Sequence, residues 1–314
     1  MPSASADGMR LIFQKHFGSK SETGIEYHLN KPYKGAIEME TNHTNKREIC
    51  VITGGGSGMG LAAAKFMPKH KTILVTGRTL SKLEKAVQEL KDLGYEVYAK
   101  TCDTSLREQV RELAQFASDL GTITNVIHCA GLSPAMADPE KLIRVNALGT
   151  VYINEEFSAR MGRGSVIVDV SSNSAYMIPG FLASTKVFSL ADRDEALFLK
   201  KILALPGKLK GYQASGLAYG LSKKFVIWYA AKCAFAYGEK GIRVCSVSPG
   251  LVATDMGNLE AEEGGNLLKT TAEKRMGTPD ELGYAIATAA DERNGYLAGV
   301  DVLVDGGSVI GKKY

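Results

Sequence analysis

Tyr219 and Lys223 stand four residues apart in Leu217-Ala-Tyr-Gly-Leu-Ser-Lys223, so on a helix they share one face. A phenol ordinarily keeps its proton up to a pH of about 10. An ammonium a few ångströms away favours the phenolate and brings that proton into exchange near neutrality. The pair is therefore a candidate proton donor to a carbonyl oxygen, with Tyr219 as general acid in reduction and general base in oxidation. Upstream, Ser171 and Ser172 close the apolar run Val166-Ile-Val-Asp-Val. A hydroxyl at that point can hold the same oxygen as charge develops on it. A second Tyr/Lys pair, Tyr27 and Lys31, precedes the first predicted strand and cannot belong to this site.

Reduction also needs a two-electron donor. Thr53-Gly-Gly-Gly-Ser-Gly-Met-Gly60 follows the β-branched run Ile49–Thr53 and precedes Leu61–Phe66, which reads as helix. Glycines let the chain turn tightly and approach a pyrophosphate, and the helix N-terminus adds N–H donors and a positive dipole end. Candidate cofactor contacts here are Thr53, Gly54, Ser57, Gly58, Met59 and Gly60. The second strand ends Val75-Thr76-Gly77-Arg78-Thr79, with no acid to bond a ribose 2′-hydroxyl. Arg78 offers instead a guanidinium fork that matches a phosphate. This favours NADP(H) over NAD(H).

Alternating elements must position these residues. Strands are predicted at Ile49–Thr53, Thr72–Thr76, Glu96–Ala99, Asn125–His128, Ser165–Val170, Arg243–Val247 and Asp301–Val304. Helices are predicted at Ser81 onward, with a Ser81/Glu84 capping box, at Leu106–Leu120, at Leu217–Tyr237, and from Thr278-Pro-Asp-Glu281. Such βα alternation gives an α/β fold, a Rossmann-like doubly wound parallel sheet in a single domain.

Composition agrees. A chain of 314 residues with 45% hydrophobic content can fill one large core. Its net charge of +4 comes from scattered residues of both signs, which gives no footprint for nucleic acid. No apolar run is long enough to cross a membrane. The five cysteines lack CxxC spacing, and Cys50, Cys129 and Cys245 sit in or beside strand-like runs, as reduced cysteines in a cytoplasmic protein would. The five histidines lack metal spacing, so no metal is expected. Residues 1–46 are polar and aperiodic and read as an N-terminal extension, flexible or packed on a partner subunit, with no signal-peptide core. The polar stretch Asp255–Met276 has few anchors to name a substrate.

The order of parts resembles the classical short-chain dehydrogenase/reductase family from about residue 47 to 310. The resemblance implies a catalytic set of Asn146, Ser172, Tyr219 and Lys223. Lys223 would also hold the nicotinamide ribose, and Asn146 would hold a water that links Lys223 to solvent. It places Asp103 near the adenine ring. His128-Cys-Ala-Gly131 is similar to the family's Asn-Asn-Ala-Gly, so the asparagine side chains are lost while Ala130 and Gly131 keep the backbone small beside the cofactor. Pro249, Gly250, Val252 and Thr254 fall in the segment that holds the nicotinamide. One departure is large: Tyr219 follows Ser172 by 47 positions, and the excess lies around 181–211. An insertion there is similar to that of the subgroup containing bacterial 3α-hydroxysteroid dehydrogenase/carbonyl reductase. It would be a wall of the substrate cleft or an altered subunit interface. The resemblance implies an oxidoreductase moving a hydride between NADP(H) and a secondary alcohol or ketone, steroid-like or otherwise bulky, in a homodimer or homotetramer. A 3-oxoacyl-thioester reductase, a sugar alcohol dehydrogenase and a non-catalytic nucleotide sensor are the alternatives.

Overall fold

The computed structural model describes residues 47–257 and 267–311. The N-terminal extension 1–46, with Tyr27 and Lys31, lies outside them, as does 258–266 of the polar stretch. Seven parallel strands form one sheet: β1 (Glu48–Thr53), β2 (Thr72–Gly77), β3 (Val97–Thr101), β4 (Thr122–His128), β5 (Val166–Val170), β6 (Arg243–Pro249) and β7 (Asp301–Val304), in the order β3-β2-β1-β4-β5-β6-β7. The order reverses beside β1, and the cleft at such a switch point is where α/β sheets bind ligands.

The central strands are mostly apolar and buried because helices cover both faces, with buried polar residues such as Asn125, Asp169 and Arg243 among them. Along β1, Ile49 and Val51 face one layer and Cys50 and Ile52 the other. The first layer receives α3 (Arg107–Leu120), α5 (Gly149–Ser158) and α8 (Gly211–Gly238), through Leu113, Phe157 and Phe225 among others. The second receives α1 (Gly58–Phe66), α2 (Leu80–Asp92) and α10 (Pro279–Ala289), through Ala63, Leu83 and Ile286. Gly283 of α10 is small because a Cβ there would come within 2.6 Å of Ala62, which lets the two helices touch.

The expected cap of α10 is present in full: Thr278 Oγ1 accepts from Glu281 N–H at 3.2 Å, and Glu281 Oε2 accepts from Thr278 N–H at 2.8 Å. The Ser81/Glu84 box is not. Helix α2 begins at Leu80, with Thr79 as its extended N-cap residue, so Ser81 already lies inside the first turn.

The insertion folds into α6 (Thr185–Phe188) and α7 (Glu195–Ile202), which pack on α8. Phe188 and Phe198 meet Phe225 with ring centroids 5.4 and 5.3 Å apart. Asp192 pairs with Lys232 of α8. Glu195 accepts from Tyr152 Oη at 2.8 Å and from Arg107 Nη2 at 3.5 Å, tying the insertion to α5 and α3.

Candidate active site

The site is built at the carboxyl ends of β1, β2, β4 and β5, around a cleft of about 540 Å³. At its floor the chain leaves β1 at Thr53 and turns into α1. Gly54 has φ +67°, and a Cβ there would lie 2.9 Å from Ala130 N. A Cβ on Gly60 would lie 2.5 Å from the Gly54 carbonyl oxygen. Only glycines permit this approach of the turn, the β4 end and the helix start. The result is a cradle at a helix N-terminus, which fits a dinucleotide pyrophosphate.

Thr53 itself is buried behind the cleft. Its Oγ1 accepts from Ala130 N–H at 3.1 Å and shares a 2.7 Å hydrogen bond with His128 Nδ1. Burial, reinforced by the charge of Lys223, pushes the His128 imidazole down to about 3, so it is neutral. Thr53 and His128 therefore lock β1 to β4 rather than touch a ligand. Cys129, half-buried at the cleft, keeps its proton, since burial pushes its thiol up to about 12.

At the other end, Arg78, Thr79 and Lys82 line the cleft. Lys82 sits in the first turn of α2, where the dipole disfavours a cation, and it lines the same cleft as Arg78. Its Nζ lies 3.9 Å from Asp255 Oδ2, an exposed and weak pair. Asp103 also lines the cleft. Burial would raise its pKa, but the Ser105 hydroxyl and N–H, with the charges of Lys141 and Arg78, outweigh that and hold the carboxyl below its ordinary range.

The catalytic candidates converge beside the cradle. Lys223 is buried, and its Nζ donates to the Val170 carbonyl at 3.0 Å. The same ammonium lies 5.9 Å from the Tyr219 ring centroid. A Cβ on Gly131 would meet both Lys223 Nζ and Asn146 Oδ1 at 3.3 Å, so these three residues share one small volume. Asn146 occupies a π-helical turn, Arg144–Leu148, which opens α5. Such turns recur at functional sites. Its Oδ1 accepts from Leu132 N–H at 2.8 Å, and its Nδ2 donates to Leu132 O at 3.0 Å and Ser222 Oγ at 3.2 Å. Ser222 Oγ in turn donates to the Tyr219 carbonyl at 2.7 Å.

Ser171 lines the cleft, but its hydroxyl donates to the Lys223 carbonyl at 2.7 Å and is committed to holding α8 on β5. Ser172 caps the short turn Asn173–Met177, accepting from Ser174 N–H at 3.2 Å, and is 8% exposed.

Most expected residues line the cleft: Gly54, Ser57, Gly58, Met59 and Gly60 at the cradle, Arg78 and Asp103 at one end, Ala130, Gly131, Tyr219, Lys223 and Thr254 at the other. Thr53, Asn146 and Ser172 stand behind or beside it. Pro249, Gly250 and Val252 do not line it either. Gly250 packs against Asp305, where a Cβ would come within 2.7 Å of its Cα, and Val252 bridges to Gly277. They hold the segment that delivers Thr254, whose methyl lies 3.4 Å from a Cβ built on Gly58. Lys82, Thr104 and Met136 also line the cleft and were not expected. Among the described residues no helix is long and apolar enough to cross a membrane.

A glycine cradle beside a Tyr/Lys pair on one helix defines a class, the nicotinamide-nucleotide oxidoreductases. Two family models match: "short chain dehydrogenase" over residues 48–184 and "Enoyl-(Acyl carrier protein) reductase" over 202–308. The chain belongs to the short-chain dehydrogenase/reductase family. The gap between the two matches falls inside the insertion. The short-chain dehydrogenase/reductase bsc3 of Alternaria brassicicola is 28% identical, covering 82% of this chain and 94% of its own. The cyclohexanol dehydrogenase of an Acinetobacter strain is 26% identical, covering 85% and 98%. The structure of a short-chain dehydrogenase/reductase from Mycobacterium ulcerans superposes with a TM-score of 0.66 at 23% identity, covering 84% and 90%.

Proposed function

We propose that this protein interconverts a secondary alcohol and a ketone with NADP(H). The observation that carries the reading is the convergence of Tyr219, Lys223, Asn146 and Gly131 against the glycine cradle. A nicotinamide nucleotide held there supplies the hydride equivalent. The chain's own residues do the rest. Tyr219 gives its phenolic proton to the carbonyl oxygen, or takes it from the alcohol. The Lys223 ammonium favours the phenolate and contributes to nucleotide binding. Ser172 holds the substrate oxygen, since the Ser171 hydroxyl is already engaged. Asn146, with its carboxamide committed to Leu132 and Ser222, fixes the turn beside Lys223, where a water can pass protons to solvent.

The phosphate preference rests on Arg78 and Lys82, with no acid at the end of β2. A bulky, steroid-like substrate remains our first choice, and the name of the Acinetobacter relative suits a cyclic secondary alcohol. A 3-oxoacyl thioester or a sugar alcohol is the second. None of the described residues lining the cleft comes from 181–211, which favours a subunit surface over a cleft wall for the insertion in a homo-oligomer. Five free thiols suit the cytoplasm.

The test is kcat/KM with NADPH and NADH in the wild type and in Arg78→Ala. One charge-assisted phosphate contact is worth about 1.5–3 kcal/mol, so the substitution should raise KM for NADPH roughly ten- to a hundred-fold. Because Arg78 is exposed and Lys82 is near, the lower end is expected. The NADH value should barely change. A wild type that prefers NADH, or equal damage to both cofactors, would make Arg78 a simple turn residue.

A further inference from the structure

Asp169 is fully buried in β5, three residues before Ser172, and nothing in the chemistry above uses it. Its carboxyl oxygens accept from Asn154 Nδ2 of α5 at 3.1 and 2.9 Å. Asn154 Nδ2 also donates to the Thr150 carbonyl at 3.0 Å, and Thr150 Oγ1 donates to the Asn146 carbonyl at 2.8 Å. Asn146 continues through Ser222 to Tyr219. A chain of hydrogen bonds, buried but for its last link, thus connects Asp169 to the turn that holds Asn146 and to the backbone of the proposed acid. Asp169 is also next to Val170, whose carbonyl receives the Lys223 ammonium.

An uncharged side chain would satisfy Asn154 equally well, so packing alone does not call for a carboxyl. The groups around it are nearly all neutral. Lys223 and Cys233 face it from α8, Cys245 from β6, and Cys129 from the end of β4, while His128 is its register partner on β4. Burial keeps the three thiols protonated and His128 uncharged, which leaves Lys223 as the cation in its surroundings. Asn154 Oδ1 is buried without a donor, so this enclosure has acceptors to spare, and a carboxyl that keeps its proton adds a donor. Burial raises the Asp169 carboxyl, and despite Asn154 and Lys223 it settles at about 7.

We propose that Asp169 is a positioning residue that sets the charge beneath Lys223 and thereby the acidity of Tyr219. The inference rests on Tyr219 and Lys223 being the acid and its cation. With its proton, Asp169 leaves the Lys223 field undiminished. Without it, a carboxylate offsets part of that field and makes the phenolate less favourable. Asp169→Asn keeps the shape and the acceptor for Asn154 and removes only the titration.

The experiment is the pH profile of kcat/KM for alcohol oxidation in the wild type, Asp169→Asn and Tyr219→Phe. The apparent pKa of the rising limb should fall by about half a unit or more in Asp169→Asn, because a negative charge near the phenolate has been removed. Nucleotide Kd should stay close to the wild-type value. An unshifted limb in Asp169→Asn, with Tyr219→Phe inactive, overturns this inference and leaves the functional reading standing. An active Tyr219→Phe overturns both. Should Asp169→Asn not fold, Asp169→Ser serves the same comparison. On the unmodified protein, infrared difference spectra between about pH 6 and about pH 8 should show a buried protonated carboxyl band that is lost on raising the pH. A spectrum with no such band also overturns the inference.

Discussion

Tyr219→Phe is expected to lower kcat by a factor on the order of 10²–10⁴, the usual worth of a positioned proton donor. The substitution removes one oxygen. The ring packs on the first core layer, and that packing survives. Nucleotide affinity, read by fluorescence titration, should therefore stay near the wild-type value while turnover collapses. The contrast between the two readouts separates a chemical role from a folding defect. If the variant keeps kcat close to wild type on a good substrate, the proton comes from another group and the assignment is wrong.

Lys223→Met has a broader effect. It removes the ammonium 5.9 Å from the Tyr219 ring and leaves the buried Val170 carbonyl without its donor at 3.0 Å. The sign of the pH effect follows from electrostatics. Without a neighbouring cation the phenolate is disfavoured, so the rising limb of the oxidation profile moves to higher pH. We expect kcat to fall by roughly a hundred-fold and nucleotide affinity by roughly ten-fold, through a less acidic phenol and the loss of a cation from the cleft. A normal pH profile together with normal nucleotide affinity would contradict both roles of Lys223.

The sheet was legible because β1, β2 and β5 are dominated by apolar, β-branched residues, as strands covered on both faces are. The cradle was legible for the same kind of reason: Gly54 and Gly60 stand where any side chain would collide with backbone. Ends were harder. Helix α8 begins at Gly211 rather than near Leu217, because Gly211, Gly216 and Gly220 dilute the helical pattern of its first turns. Thr79 displaced Ser81 as the N-cap of α2 because its backbone is extended, a matter of local conformation that the shared Ser/Thr chemistry cannot decide.

The supporting side chains were the least legible. Lys82 reads along the chain as an ordinary surface lysine, and only the fold shows that it lines the cleft. The π-helical turn at Asn146 has no sequence signature of its own, since Arg144–Leu148 suits an α-helix equally well. Asp169 was visible as a charge in an apolar strand. Its partner Asn154 lies 15 residues earlier on a helix, and the pairing exists only once α5 is laid on β5.

In the proposed reaction this site moves a hydride equivalent to a carbonyl carbon while Tyr219 moves the proton. NADPH deuterated at its transferable position tests it most directly, offered with cyclic ketones, 3-oxoacyl thioesters and keto sugars, with product analysis by mass spectrometry. Deuterium is expected on the carbinol carbon of at least one product in the wild type, and at an initial rate lower by a factor on the order of 10²–10⁴ in Tyr219→Phe. Nucleotide binding without deuterium transfer to any of these carbonyls, or equal transfer by both proteins, would contradict it.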